Sequence, residues 1–397
     1  MLYDLVAKQK LRKPQWPHMQ NSSRTFLLQF SQLCQLDLFP VLEEQTGPLT
    51  PQNKLLTEVL ALAQLHRFIH KQWRGRPSED RRALIAAFLA KSIHNLSTTR
   101  QLIDRLKVDP QLREICGWLN AKAIPSESTF SRAFADFARR KLPERIHEAV
   151  IRLTQQDRIV GHIARDSTAI EVRERYPETR RQKLEKKRKK ANKKPLAKQK
   201  SKNLGITARQ RKMTLPQMMD GLSRSCAIGA KQNSKGYMYY WRGYKLHLDT
   251  ADGQIPITAI LTGANVHDAK VAIPLMTMSS ERVHYLYDLM DSAYDAQAIL
   301  AHSRELGHVP VVDPHGRRAT RGISELPKIF PKKPKPQLCP AKAERYKERT
   351  MAERVNARLK DEFGGRTLRV RGASKVMAHL MFGVIALTVD QIQKQLR

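Results

Sequence analysis

The sequence predicts an α+β chain: an all-helical amino-terminal part over residues 1–150, then a mixed α/β layer over residues 158–397 that carries a strongly basic insertion. Three observations carry this reading. Apolar residues recur at helical spacing through the first 150 positions. From Ile159 the texture changes to short β-rich runs separated by helical stretches. Between the first two of those runs lies a block, residues 173–212, with 18 Lys and Arg against only three acids.

In the helical part, Asn53 to Trp73 places Leu55, Leu56, Val59, Leu60, Leu62, Ala63 and Leu65 on a broad apolar face, and Asp80 to Ile93 repeats the pattern after a Pro-Ser-Glu-Asp start. A further helix is expected after Pro125, where Ser126 or Ser128 can cap a run carrying Phe130, Phe134 and Phe137. The expected strands are Ile159 to Asp166, Tyr239 to Asp249, Ile255 to Leu261, His284 to Leu289 and His308 to Val312, each bounded by Gly, Pro, Asn or Asp. Helices are expected at Ala269 to Met278 and Ala296 to Leu306, and a long one from about Ala341 to Phe363. The segment from Arg173 to Lys235 reads as a basic arm that orders on a polyanion, and Ile329 to Lys342 as a Pro/Lys-rich semi-rigid linker. The apolar run from Val376 to Val389 is too short to span a bilayer and reads as a buried helix.

With 397 residues and 41% hydrophobic residues, the chain has enough apolar material for two or three folded units, which excludes a disordered or fibrous protein. The 72 Lys and Arg against 37 Asp and Glu leave a formal charge of +35. That excess repels itself unless a polyanion neutralises it, and nucleic acid is the first candidate, since each phosphate contact releases a counterion. Cys34, Cys116, Cys226 and Cys339 are far apart, so neither a zinc knuckle nor a disulfide framework is expected, and a reducing cytosol fits. The amino terminus lacks an apolar core followed by a cleavage site, so no signal peptide is expected.

Acidic residues fall at telling places. Asp166 is expected to end the first strand, and Asp291 follows the strand His284 to Leu289. Two carboxylates at the ends of adjacent strands can share a pair of Mg²⁺ ions about 4 Å apart, an arrangement that clamps the attacking and leaving oxygens of a phosphodiester. On the late helix, Tyr346, Arg349, Glu353 and Lys360 are spaced by three, four and seven residues and fall within about 60° of arc at 100° per residue. Met351, Val355 and Leu359 lie opposite and can pack on a sheet, leaving the polar stripe for a substrate. A phenol, a guanidinium and an ammonium around a carboxylate would supply phosphate ligands beside a metal ligand.

Tyr346-x₂-Arg349-x₃-Glu353-x₆-Lys360 resembles the Y-R-E-K signature of DDE transposases of bacterial insertion sequences, and KLHLDTADGQIPITAILTGANVHDAK looks like the stretch before their second aspartate. The resemblance covers roughly residues 160–390. It implies a ribonuclease H-like catalytic core with Asp166, Asp291 and Glu353 as a metal-binding triad for two Mg²⁺ ions, which Mn²⁺ can replace. By the same likeness Tyr346, Arg349 and Lys360 hold phosphates of the transposon end. The partners implied are double-stranded DNA, as terminal inverted repeats and target, and a second protomer when assembled on DNA. A cytoplasmic, nucleoid-associated location follows from the same likeness.

The expected activity is therefore metal-dependent cleavage of an insertion sequence's ends and their joining to target DNA. The alternatives are a non-catalytic DNA-binding regulator and a ribonuclease H-type nuclease. Asp288, Asp295 and Glu348 compete locally as metal ligands. Asp288, three positions before Asp291 on a strand, points to the opposite face, and Glu348, five positions before Glu353, falls well round the helix from it. His267 and Asp268 could form a metal or acid/base pair, but Asn265 and Asp268 equally make a helix-capping loop, which is the reading preferred, and the aromatic run Tyr237, Tyr239, Tyr240, Trp241 and Tyr244 reads as strand-favoured residues that could also stack on bases.

Overall fold

A computed structural model describes residues 23–69, 79–174, 205–232, 236–313 and 338–396. Residues 175–204 and 233–235 of the expected basic arm and residues 329–337 of the expected linker lie outside the described residues.

The amino-terminal part is helical throughout its described length: α1 (Ser23–Leu33), α2 (Phe39–Thr46), α3 (Pro51–Ala63), α4 (Arg81–Ile93), α5 (Thr99–Val108), α6 (Pro110–Cys116), α7 (Glu127–Arg139) and α8 (Leu142–Gln155). The local signals act as expected at several starts. Thr50 caps α3 by accepting from the Asn53 N–H, and Asp80 caps α4 by accepting from the Arg82 N–H. Helix α3 is shorter than its apolar pattern, because Gln64 adopts a left-handed conformation at φ 43° and turns the chain after Ala63.

The second part is one six-stranded mixed sheet. Its strands are β1 (Ile159–Glu171), β2 (Ala227–Gln232), β3 (Met238–Ala251), β4 (Ile255–Gly263), β5 (His284–Met290) and β6 (Val309–Val312). Strands β1, β5 and β6 run parallel, while β3 pairs antiparallel with β1 on one side and with β2 and β4 on the other. This is the mixed sheet that the ribonuclease H-like expectation required. The helices α9 (Ile206–Gln210), α10 (Leu215–Asp220), α11 (Ala269–Ser280) and α12 (Gln297–Glu305) accompany it, followed by α13 (Pro340–Lys347), α14 (Thr350–Asp361) and α15 (Ala373–Leu396).

Three expectations need correction. Residues 205–232 are not part of a basic arm: they form α9, α10 and β2, because Met218 and Leu222 bury themselves against the α11 side of the sheet. The single helix from Ala341 to Phe363 is two helices. Between them the N–H groups of Glu348, Arg349, Met351 and Ala352 all bond three residues back rather than four, so the chain tightens at the junction. Finally, β1 does not end at Asp166 but continues to Glu171, since β3 offers it partners as far as Gly243.

Helix α15 contains the apolar run expected to be buried. It is long and apolar enough to cross a membrane, yet 89% of its apolar window lies inside the protein. Phe382 stacks on Phe88 of α4, and Gly383 lets the helix approach the Phe363 carbonyl, which a Cβ would meet at 2.5 Å. One apolar core therefore runs from α3, α4 and α7 through α15 to Leu246 and Leu248 of β3 and to Val355 and Leu359 of α14, across the expected boundary near residue 150. His147 fastens the same junction: its Nε2 lies 3.1 Å from the Pro256 carbonyl oxygen and 3.2 Å from the Thr388 hydroxyl.

The other face of the sheet is built around Arg165. Its Nη2 donates to Asp249 at 2.7 Å and to Asp288 at 3.3 Å, with all three side chains fully buried. Ser279 of α11 donates to Asp249 and Ser303 of α12 donates to Asp288, so two helices and three strands meet at one cation. Removing one partner of a buried charge cluster leaves the rest uncompensated. Arg165→Ala is expected to lower unfolding stability by roughly 3–5 kcal/mol, as read by urea denaturation; a loss under about 1 kcal/mol would contradict this account of the sheet.

Candidate active site

Strand register brings two of the expected acids together. Strand β5 runs parallel to β1 with Ile163 opposite Asp288 and Ala164 opposite Leu289. Continued by two residues, the same register sets Asp291 beside Asp166. Alternation along β1 then separates neighbours: Arg165 points to the face of α11 and α12, and Asp166 to the face covered by α14. Asp166 thus lies inside β1 on its β3 side but level with the end of β5. Asp291 follows that end, and its carboxylate accepts from the Ala293 N–H at 2.9 Å, fixing the turn.

Both carboxyls are held above the ordinary carboxylate range, chiefly by burial. Burial pushes Asp166 up to about 6, and the neighbouring Asp291 adds to the shift against the Ser167 N–H, Arg349 and Lys231. Burial raises Asp291 as well, with Asp268 contributing and Arg349 and Lys231 opposing. Asn356 of α14 donates to Asp166 Oδ2 at 2.9 Å, while its own Oδ1 is buried without a hydrogen-bond partner.

Helices α13 and α14 bring up the polar stripe. As expected, Met351, Val355 and Leu359 are buried against the sheet. Opposite them, Arg349 donates to Glu353 at 2.7 Å and lies 5.7 Å from the centre of the Tyr346 ring. Burial works against the Arg349 charge, but Tyr346, Glu353, Asp166 and Asp291 together outweigh it and hold the guanidinium protonated. Lys360 is half-buried farther along, its pKa lowered chiefly by burial and then by Arg366.

Glu353 does not join the other two acids in this conformation. Its side chain is 54% exposed and turned to Arg349. Among the described residues, no three His, Cys, Asp or Glu side chains lie close enough to hold one metal ion. The donor chemistry still suits a divalent cation, because two half-buried carboxylates repel each other and Glu353 stands one helical turn before the residue that touches Asp166. Arg349 lends positive charge to both acids.

The competing acids take other roles. Asp288 faces away, as its strand position requires, and is consumed by Arg165, Tyr285 and Ser303. Glu348 lies at the tightened junction between α13 and α14. Asp268 accepts from Lys245 at 3.0 Å, while the capping of α11 is done by His267, whose Nδ1 accepts from the Ala269 N–H. Sequence reasoning missed Asn356 and Lys231. Asn356 stands three residues after Glu353 on the same helix face, so the helical spacing carried its signal; Lys231 lies on β2, a strand that the basic composition around it concealed.

Two family models match the chain. A transposase DDE domain matches residues 161–389, the sheet together with α9 to α14 and most of α15, and a second transposase domain, DUF772, matches residues 42–136 among the amino-terminal helices. No curated protein and no solved structure matches significantly.

The raised carboxyl of Asp166 has a thermodynamic signature of its own. A carboxyl at about 6 in the fold and near its ordinary value of 3.8 when unfolded leaves no penalty below pH 3.8; the penalty grows to its full value above pH 6. In EDTA, Asp166→Asn is therefore expected to raise stability by roughly 1–3 kcal/mol at pH 7.5 and by little at pH 3.5. Chemical denaturation at both pH values checks this, and an equal effect at both would contradict it.

Proposed function

The chain belongs to the family of transposases with a DDE domain, which spans residues 161–389, and from that premise we propose that it cuts the ends of its insertion sequence and joins them to target DNA. Asp166, Asp291 and Glu353 are the acids proposed for the chemistry, and Tyr346, Arg349 and Lys360 the phosphate ligands. The observation that supports this best is the β1–β5 register, which sets Asp291 level with Asp166 under the helix that carries Glu353 and Asn356.

Each residue has a separate part in this reading. Asp166 and Asp291 would hold two Mg²⁺ ions, or Mn²⁺ in their place, with Glu353 joining them when it lets go of Arg349. Bound there, the ions supply Lewis acidity to the attacking and leaving oxygens of an in-line phosphodiester displacement, first by water and then by the released 3′-hydroxyl. Asn356 restrains one oxygen of Asp166, so the carboxylate keeps one orientation as charge is exchanged around it. Arg349, held near the acids in the free protein, is released to a DNA phosphate, where its planar fork grips two oxygens. Tyr346 sits beneath it and fixes its approach. Lys360 extends the cationic row along the DNA backbone. The amino-terminal helices, 1–150, are proposed to bind the terminal inverted repeats while the second part, 158–397, acts on them. The assembly proposed is two protomers on paired ends, in the bacterial cytoplasm at the nucleoid.

A supercoiled plasmid carrying the element's ends tests the proposal. Mg²⁺-dependent cleavage at those ends, followed by joining, is expected. Asp291→Asn removes an interaction worth several kcal/mol in the transition state, so cleavage should fall by about a thousandfold or more with DNA affinity kept or raised. Wild-type turnover in that variant would remove Asp291 from the site. Binding without cleavage by the unaltered protein would make it a regulator, and cleavage of RNA in a hybrid would make it a ribonuclease H-type nuclease.

A further inference from the structure

Asn356 is a costly residue where it stands. The buried positions around it on α14, Ala352, Val355 and Leu359, are apolar, and the asparagine is itself only 5% exposed. An amide is a poor helix former and costs free energy to bury unless both of its ends find partners, so packing alone would favour a leucine here. Only one end has a partner. Nδ2 donates to Asp166 Oδ2 at 2.9 Å, while among the described residues no group donates to the buried Oδ1.

Turning the amide over does not cure this. Its oxygen and nitrogen lie roughly 2.2 Å apart, so with Asp166 on one side the oxygen either stays unpaired or meets another acceptor. Arg349, the cation that both acids of the site feel, is committed to Glu353. A divalent cation resolves the conflict, because it binds the amide oxygen and the carboxylate oxygen at once. Two ligands held at about 2.0–2.1 Å and at a right angle on an octahedral Mg²⁺ lie about 2.9 Å apart. Asn356 and Asp166 already stand at that separation. Carbonyl and carboxylate oxygens are also the donors that Mg²⁺ and Mn²⁺ prefer.

We propose that Asn356 is a reversible ligand of the divalent cation: its N–H holds Asp166 while the site is free of metal, and a half-turn of the amide gives Oδ1 to the ion that Asp166 binds. The inference rests on the reading of Asp166 and Asp291 as metal ligands, and it adds an oxygen that the three acids do not supply. The half-turn is about a terminal torsion that is broad and nearly two-fold, so the helix need not move. It also accounts for the residue type. A further acid would add repulsion to the metal-free site, whereas an amide offers a donor before the ion arrives and an acceptor afterwards.

The test uses the full chain, stripped of metal and without DNA, so that binding is read independently of cleavage. Mn²⁺ is the probe, followed by the electron paramagnetic resonance of the free ion. Asn356→Leu, which removes the oxygen at nearly constant size, is expected to weaken Mn²⁺ binding about ten- to hundredfold. Its stability in EDTA should equal or exceed that of the unaltered protein, since an unpaired buried carbonyl is lost. Asn356→Asp keeps an oxygen but loses the donor, and should bind Mn²⁺ at least as tightly as the unaltered protein; a loss like that of Asn356→Leu would leave the amide only its hold on Asp166 and overturn the ligand. Direct contact is read in Asn356→Cys, made with Cys339→Ser because Cys339 is the exposed one of the four native cysteines. Cd²⁺ should then give a thiolate-to-metal charge-transfer absorption that Asp291→Asn abolishes. Absence of that absorption, or unchanged Mn²⁺ affinity in Asn356→Leu, overturns the proposal. Asp166→Asn and Asp291→Asn should each lose Mn²⁺ binding whatever Asn356 does. Retained binding in both would mean that the acids are misread, whereas loss in both with none in Asn356→Leu would sink the amide ligand alone.

Discussion

A single buried arginine fixes the geometry on which the candidate site rests. Arg165 has no water to turn to, and neither have Asp249 and Asp288, so each requires the others. Two of these three residues lie close in sequence to the site: Arg165 directly precedes Asp166, and Asp288 stands three positions before Asp291. Fixing the buried charges therefore fixes the register of β1 against β5, and with it the placing of the two carboxyls on the opposite face. A slip of one residue would send Asp166 inward and Arg165 outward, exchanging a satisfied cluster for a naked acid. The serines of α11 and α12 reinforce the arrangement from below, using neutral donors where a further charge would find no partner.

How far the sequence displayed this arrangement depended on the range of each interaction. Strand positions read from alternation and bounding turns came out within a few residues for β3, β4, β5 and β6, and the apolar faces of α4, α7 and α14 were legible because each is set by its own periodicity. What failed were features decided by a distant partner. The continuation of β1 past Asp166 depends on β3, which lies far along the chain. Strand β2 has only small and polar residues of its own besides Ile228, and exists because β3 pairs with it. The break between α13 and α14 has neither Gly nor Pro to announce it. The pairing of Arg165 with Asp249 and Asp288 joins three strands that no local pattern connects. Asn356, by contrast, lies at the edge of the polar stripe, one turn after Glu353, where an amide makes a weaker chemical claim than the acid and cations around it.

Arg349 gives the acidic site its resting state. Burial raises the pKa of both half-buried carboxyls, and the guanidinium moderates that rise from the junction where α13 ends and α14 begins. That junction is also where backbone bonding is tightest and least helical, so the arginine sits on a turn and not in the middle of a rigid rod. Helix α14 itself is anchored farther on, where Arg358 bonds both Glu362 and Asp390 of α15. The arrangement leaves one end of the stripe adjustable and the other end fixed.

Helix α15 closes a core begun in the first third of the chain. The apolar faces of α3, α4 and α7 have α15 as a common partner, yet α8 ends at Gln155 and α15 starts only at Ala373. At about 5–20 residues per second, a ribosome takes roughly 10–45 s to cover that interval. During that time the helices synthesised first carry an open hydrophobic cleft. Assembly of the protein is accordingly a late event in its own translation, and a nascent chain short of α15 has neither a completed helical half nor the anchor that holds α14. A message truncated anywhere before that helix would yield an aggregation-prone fragment instead of a miniature DNA-binding protein.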